Sequence, residues 1–377
     1  MIYFDNAATT RPCKSAQEAV IKAMDDFGNP SSLHKLGLSA AQIVSASRRI
    51  IANSIGAAES EIYFTSGATE ADNTAIFGAA AAMGKRKKRI VTTTVEHHAV
   101  SEPCKRLEAQ GFEVIYVSPR TDGFHAEDIV SQVDDNTCLV SCMLCNNETG
   151  AVLPVAEAFR KIKKKFPQTL THCDAVQAYM KLPLKVKALY ADMISLSGHK
   201  VHALKGIGAL YVKKEVHIPA FMYGGGQERS FRSGTESVPL IAAFGAAVQQ
   251  LSGNMDERFG YVKSLSDYLR FKIESCEGMS FNSASDGSPY VNSISVDGLR
   301  SEVLLHFLES KDIYVSSGSA CSKGKKSSVL SEFHIPDSFA DSTLRISFCA
   351  DNTKDEIDSL MSALMEAQNS LLGVKRH

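Results

Sequence analysis

Through the first 255 residues, short apolar runs alternate with longer amphipathic stretches, and this alternation constrains the fold more than any other feature of the chain. The runs at 89–94, 113–118, 137–144, 169–173 and 192–195 predict buried strands. Between and before them, 39–55, 68–83, 101–109 and 155–166 carry apolar residues at helical spacing. Strands separated by helices demand right-handed crossovers and a mostly parallel sheet. Such sheets place their chemistry at the carboxyl ends of the strands. After residue 255 the rhythm changes. A long helix is predicted over 256–274, a strand over 291–296, a helix over 301–310, short strands over 313–315 and 343–347, and a last helix over 355–369. That pattern is a smaller α+β unit, with a boundary expected near Gly253.

Charge and cysteine content narrow the setting. The 41 basic and 42 acidic residues leave a formal net charge of −1, so no overall cationic field points to nucleic acid or an anionic membrane. Nine cysteines at irregular spacing are not a disulfide framework and read as reduced thiols of a cytoplasmic protein. The start, Met1-Ile2-Tyr3-Phe4-Asp5, lacks the basic leader and apolar core of a signal peptide. The apolar runs at 75–84 and 238–248 are about half the length of a membrane span and predict buried helices.

Four clusters could carry chemistry. In Ile62-Tyr63-Phe64-Thr65-Ser66-Gly67-Ala68-Thr69-Glu70, a strand runs into hydroxyls and a glycine before a helix starts. Open backbone amides at a helix start suit a phosphate, and an ordinary helix cap by Ser66 or Thr69 fits the same residues. Asp174 follows an apolar strand, where a carboxylate can hold a protonated ring nitrogen or cap the next turn. Lys200, in Ser197-Gly198-His199-Lys200, follows another strand; lysine forms Schiff bases and, partly desolvated, acts as a base. Cys321 lies in Ser316-Ser317-Gly318-Ser319-Ala320-Cys321 with Lys323, Lys325 and Lys326 close behind, and nearby cations raise a thiol's thiolate fraction. An incidental surface cysteine in a basic turn fits equally. Cys142 and Cys145 form a lone pair too sparse for zinc. Together, a phosphate cradle, a carboxylate and a lysine at successive strand ends are what pyridoxal 5′-phosphate requires.

These segments, taken in order, resemble a family. Tyr3-Phe4-Asp5-Asn6-Ala7-Ala8-Thr9-Thr10, Gly28-Asn29-Pro30-Ser31-Ser32-Leu33-His34, Glu96-His97-His98-Ala99-Val100, Asn146-Asn147-Glu148, Gly224-Gly225-Gly226-Gln227-Glu228-Arg229 and Arg232-Ser233-Gly234-Thr235 join the clusters above in the order seen in cysteine desulfurases of the NifS/IscS type. These belong to the class V aminotransferase-like enzymes. The resemblance implies the fold type I architecture of pyridoxal phosphate-dependent transferases. A large domain at 11–255 would have a mostly parallel sheet. Residues 1–10 and 256–377 would form a small α+β domain carrying the cysteine loop.

It further implies that Lys200 binds the cofactor aldehyde and moves the substrate's α-proton. Asp174 would pair with the ring nitrogen, His97 stack on the ring and assist proton transfer, and Gln177 bond the phenolic oxygen. Ala68, Thr69, Ser197 and His199 would hold the phosphate, with Thr235 reaching across from a second subunit of a homodimer. Arg345 would clamp the substrate carboxylate and Asn147 help hold substrate and ring. Cys321 would take the sulfur of L-cysteine as a persulfide, leave L-alanine, and pass the sulfur to an acceptor or iron–sulfur scaffold protein; no metal site is implied. Departures are Ala203-Leu204 where relatives carry Gly-Pro, and the extra thiols Cys142, Cys145 and Cys173. A related lyase acting on selenocysteine would not need Cys321, and an inactive sulfur-carrier module would not need Lys200, Asp174 and Arg345.

Overall fold

The computed structural model describes residues 1–317, 328–336, 339 and 341–373. The chain opens with a two-residue strand, β1 (Ile2–Tyr3). A large sheet follows, built from β2 (Ile62–Thr65), β3 (Arg89–Thr93), β4 (Glu113–Val117), β5 (Thr137–Ser141), β6 (Leu170–Asp174), β7 (Met193–Ser197) and β8 (Gly208–Val212) in the order β2-β8-β7-β6-β5-β3-β4. The ladders joining β7, β6, β5, β3 and β4 are all parallel. Strand β8, which the sequence reading did not single out, is antiparallel to both β2 and β7. The short connection from β7 holds no crossover helix, and a parallel neighbour would need one.

The helices of eight residues or more are α1 (Lys14–Asp25), α2 (Lys35–Ile55), α3 (Ala68–Met83), α4 (His98–Glu108), α5 (Val155–Lys165), α6 (Val238–Ser252), α7 (Met255–Glu274), α8 (Ser301–Glu309) and α9 (Lys354–Gly373). Helix α2 buries Ala40, Val44, Ile51 and Ile55 along one stripe and stops at Gly56, whose φ of 71° suits a residue without a Cβ. Helix α5 keeps an apolar stripe of Val155, Ala158, Phe159 and Ile162, with three lysines in its last turn against the negative helix end. Helices α3 and α6 are apolar on most sides because both are largely buried.

Side chains alternate across the large sheet. On β8, Ala209 and Tyr211 enter one core and Leu210 and Val212 the other, so both faces are covered. The expected strand at 137–144 is regular only as far as Ser141, yet the Cys142 and Leu144 amides still donate to the β6 carbonyls of His172 and Asp174 at 3.0 and 2.9 Å, and the core encloses residues 142–145.

A second sheet contains β9 (Met279–Phe281), β10 (Val291–Val296), β12 (Ser316–Ser317) and β13 (Thr343–Ser347) in the order β12-β13-β10-β9, all antiparallel. Strand β11 (Ile313–Tyr314) pairs instead with β1 in parallel register, Ile2 opposite Ile313. Phe4 therefore joins the core of the C-terminal residues beside Leu265, Ile294, Leu344 and Leu360. No helix among the described residues is long and apolar enough to cross a membrane.

Candidate active site

The reversal of β8 sets the geometry of the site. Because β8 runs against its neighbours, its first residue sits at the edge where β2 and β7 end. Gly208 lies opposite Thr65 on one side and Ser197 on the other. A Cβ at position 208 would stand 2.7 Å from the carbonyl carbon of Gly67 and 2.7 Å from the Leu196 oxygen. Only glycine lets the 65–68 turn lie this close to β8. Helix α3 then begins after Gly67 with no side-chain cap. The Ser66 hydroxyl donates to Glu70 Oε2 at 2.6 Å, and Arg232 grips the same carboxylate at 2.8 and 3.0 Å. Neither Ser66 nor Thr69 caps the helix, so its leading amides at Ala68 and Thr69 are without a side-chain cap, as a phosphate cradle requires.

One strand over, Asp174 ends β6, with Ser195 as its register partner on β7. Its Oδ1 accepts from the Val176 amide at 2.9 Å. Burial pushes its pKa up to about 6, against the Val176 bond and the nearby Lys200 charge. Beneath it, His172 Nε2 meets Ser195 Oγ at 3.0 Å and His172 Nδ1 meets Ser141 Oγ at 2.8 Å.

Lys200 closes the 3₁₀ turn Gly198–Lys200 that follows β7. Ala203 and Leu204 preserve that turn: the Ala203 amide donates to Gly198 O at 3.1 Å, and both side chains pack into the core. The Lys200 ammonium donates to the carbonyls of Ala7 and, at 2.7 Å, Ala8. Burial first, then the charges of Lys181 and Arg345, bring its pKa down to about 7. Gln177 Nε2 donates to the same Ala7 carbonyl at 2.9 Å.

His97 caps α4, its Nδ1 accepting from the Ala99 amide at 3.1 Å; burial and Lys200 lower its pKa to about 4, so the ring is neutral. His199 is likewise lowered to about 4, by burial first and then Lys200, and its Nδ1 pairs with Thr9 Oγ1 at 3.2 Å.

Arg345 enters from β13. Its Nη1 donates to the Asn147 carbonyl at 3.0 Å, and its Nη2 to Asp5 Oδ1 at 3.0 Å and Ser316 Oγ at 3.1 Å. Asn147 thus holds Arg345 through its backbone. The Arg345 Nε is buried and has no acceptor among the described residues.

Lys200, Asp174, Gln177, His97, His199, Ser197, Asn147 and Arg345 therefore converge, while Thr235 is exposed three positions beyond Arg232. Cys321 lies outside the described residues. Cys142, Cys145 and Cys173 are buried, and burial raises all three thiols, Cys145 to about 11, which makes them packing groups. The sequence reading assigned no role to Asp5, Ser316 or Lys181. Asp5 stood inside the quoted N-terminal motif, and Lys181 lies four positions beyond Gln177.

Pyridoxal 5′-phosphate fits these residues. Its aldehyde and phenolic oxygen sit on neighbouring ring carbons, and the two donors suited to them, Lys200 and Gln177, converge on one carbonyl oxygen. A carboxylate and an uncapped helix start occupy the strand ends on either side. This defines a fold type I pyridoxal phosphate enzyme.

Comparison with known proteins narrows the class. Residues 2–360 match the aminotransferase class-V family, and the chain belongs to it. It is 38% identical over 379 residues to the cysteine desulfurase IscS of Methanosarcina thermophila, covering 98% of this chain and 92% of that protein. Among solved structures, a NifS-like protein superposes with a TM-score of 0.92 at 35% identity, covering 98% of this chain and 99% of the other. The structure of SspA in complex with cysteine superposes with a TM-score of 0.83 at 32% identity, covering 93% and 99%.

Proposed function

We propose that the chain is a pyridoxal phosphate-dependent cysteine desulfurase. It would convert L-cysteine to L-alanine and hold the sulfur as a persulfide on Cys321. The observation that carries this reading is the meeting of an amine lowered to about 7, a buried carboxylate and a guanidinium with an unused Nε in one site. An amine donor, a ring-nitrogen partner and a carboxylate clamp are what an α-amino acid bound to this cofactor needs. Relatives of similar length bear the name cysteine desulfurase, and one structural neighbour holds cysteine.

When bound, the cofactor would supply an electron sink for the substrate's α-carbon. Lys200 would hold the cofactor aldehyde, and its amine would take and return the substrate's α-proton. Asp174 would keep the ring nitrogen protonated, and neutral His97 would stack on the ring. Ala68, Thr69, Ser197 and His199 would hold the phosphate, and Arg345 would take the substrate carboxylate in its guanidinium fork. The Cys321 thiolate attacks the substrate sulfur. The S–S bond forms, the substrate's Cβ–S bond breaks, its electron pair stays with Cβ, and Cβ takes a proton to give alanine.

Residues 11–255 serve as the cofactor domain, and residues 1–10 with 256–377 as the small domain that brings Arg345 and Cys321. A second copy completes the phosphate site through Thr235. Ile21, Met24, Phe27, Leu33 and Leu38, exposed along α1, the loop after it and the first turn of α2, supply an apolar face for it. The working compartment is the cytoplasm, and an acceptor protein then takes the persulfide sulfur.

Purified protein given L-cysteine and a reductant should release sulfide and alanine in equal amounts. Cys321→Ser should abolish sulfide release and keep the cofactor bound. Full activity in Cys321→Ser would remove the sulfur-carrier role.

A further inference from the structure

A second lysine stands behind Lys200. Lys181 is 7% exposed, yet no carboxylate pairs with it among the described residues. Its ammonium donates to Gln177 Oε1 at 3.2 Å and lies 6.0 Å from the Tyr290 ring centroid. It lines the same cavity, of about 540 Å³, as Lys200. The two lysines are ends of one hydrogen-bonded chain: Lys181 to Gln177 Oε1, Gln177 Nε2 to the Ala7 carbonyl, and the Ala7 carbonyl to Lys200.

An ammonium can only donate. Lys181 therefore settles which way the Gln177 amide points: its oxygen faces Lys181, and its NH₂ must face Ala7 and Lys200. A buried charge left without a carboxylate is costly to keep. It persists here at the one position that orients Gln177 and repels positive charge at Lys200.

We infer that Lys181 is a positioning residue for the cofactor. It locks Gln177 as a donor toward the phenolic oxygen and, as a cation at neutral pH, favours the uncharged form of the nitrogen that joins Lys200 to the aldehyde. This inference rests on the cofactor assignment proposed above. The charged and titratable groups around Lys200 are Lys181, Arg345, Asp5, Asp174, His97 and His199. Of the charges, Lys181 has the largest influence on Lys200 after burial itself. Around Lys181 stand Lys200, Arg345, Cys145, Cys349, His199 and His202, with Tyr290 alongside. The two thiols are themselves raised by burial to about 11 and stay neutral. Burial brings Lys181 down to about 8, which leaves it mostly charged at neutral pH.

The test uses holoenzyme and reads the visible absorbance of the cofactor across pH, with borohydride trapping at Lys200 in every variant. Lys181→Gln keeps a donor for Gln177 and removes the charge; Lys181→Met removes both; Lys181→Arg keeps both. The expected result is a titration midpoint raised by about one pH unit in Lys181→Gln. The rise should be at least as large in Lys181→Met, and Lys181→Arg should return the midpoint to the wild-type value. If Lys181→Met does not fold, Lys181→Gln carries the test alone. A wild-type midpoint in folded Lys181→Gln, or an Arg variant shifted as far as the Gln variant, overturns the inference. Absence of a borohydride-trapped adduct at Lys200 in the wild type would instead remove the cofactor assignment itself.

Discussion

Lys200 offers the most direct quantitative test of the site. An ordinary lysine has a pKa near 10.5, and this one is brought to about 7 by burial and by the Lys181 and Arg345 charges. At pH 7 an ordinary amine is about 0.03% neutral, whereas Lys200 would be about half neutral, a gain on the order of 10³ in reactive amine. The perturbation is pH, and the assay is the rate at which cofactor-free protein captures pyridoxal 5′-phosphate, followed by absorbance. Below pH 7 the rate should rise about tenfold per unit, then flatten above about pH 8. Lys200→Ala should form no borohydride-stable linkage at any pH. A rate still climbing tenfold per unit through pH 10 would show an unperturbed lysine and refute the electrostatic reasoning. The same depression has a stability consequence of fixed sign. Between about pH 7 and 10.5 the unfolded chain binds a proton at this lysine that the folded apoprotein does not, so stability rises with pH across that window. Lys200→Met should remove that slope.

Four further outcomes follow from named contacts. Glu96 is buried, and burial raises its pKa to about 8, so the folded state holds a proton from 4.5 to 8 that the unfolded state gives up. Stability should fall as pH rises through that range, and Glu96→Gln should flatten the fall in denaturant melts at pH 5 and pH 8. Glu228 accepts from Arg48 at 2.6 and 2.7 Å and from the Phe64 amide at 2.9 Å, all buried; Glu228→Ala should cost about 3–5 kcal/mol in unfolding free energy. Gly208→Ala pushes a methyl into two backbone atoms at 2.7 Å and should cost about 1–3 kcal/mol, with weaker retention of the cofactor on dialysis. Arg345→Lys loses the guanidinium fork and should raise the KM for L-cysteine about tenfold to a hundredfold with the cofactor spectrum unchanged.

Much of this architecture was legible in the sequence because burial and periodicity are local. The runs that became β3, β4, β6 and β7 are short, apolar and bounded by helices, and each was placed within two residues. Strand β8 escaped notice because Gly208-Ala209-Leu210-Tyr211-Val212 follows a glycine- and lysine-rich turn, with no crossover helix to announce it. The run 137–144 extends past the strand end at Ser141 because residues 142–144 share the strand's burial and keep hydrogen bonds from Cys142 and Leu144 to β6. At the site, Lys200 and Asp174 were visible as strand-end residues. The partnership of Arg345 with Asp5 was not, since those residues stand 340 positions apart and meet only when β13 is in place. Nor was the Lys181–Gln177 link, which rests on a turn conformation that no periodicity encodes.

The pairing of β1 with β11 has a consequence for how the enzyme is made. The Ala7 and Ala8 carbonyls that receive Lys200 are held in turn by Ser347, whose hydroxyl accepts from the Ala7 amide 340 positions away. Residues 2–8 therefore leave the ribosome long before Ile313, Arg345 and Ser347 exist. The large sheet has all its strands by residue 212 and can collapse during synthesis, yet the wall behind Lys200 cannot form until Ser347 has been made. Nascent chains stalled before residue 340 should be compact and protease-resistant in the sheet but unable to retain the cofactor, so loading waits for β13 and not for the large sheet.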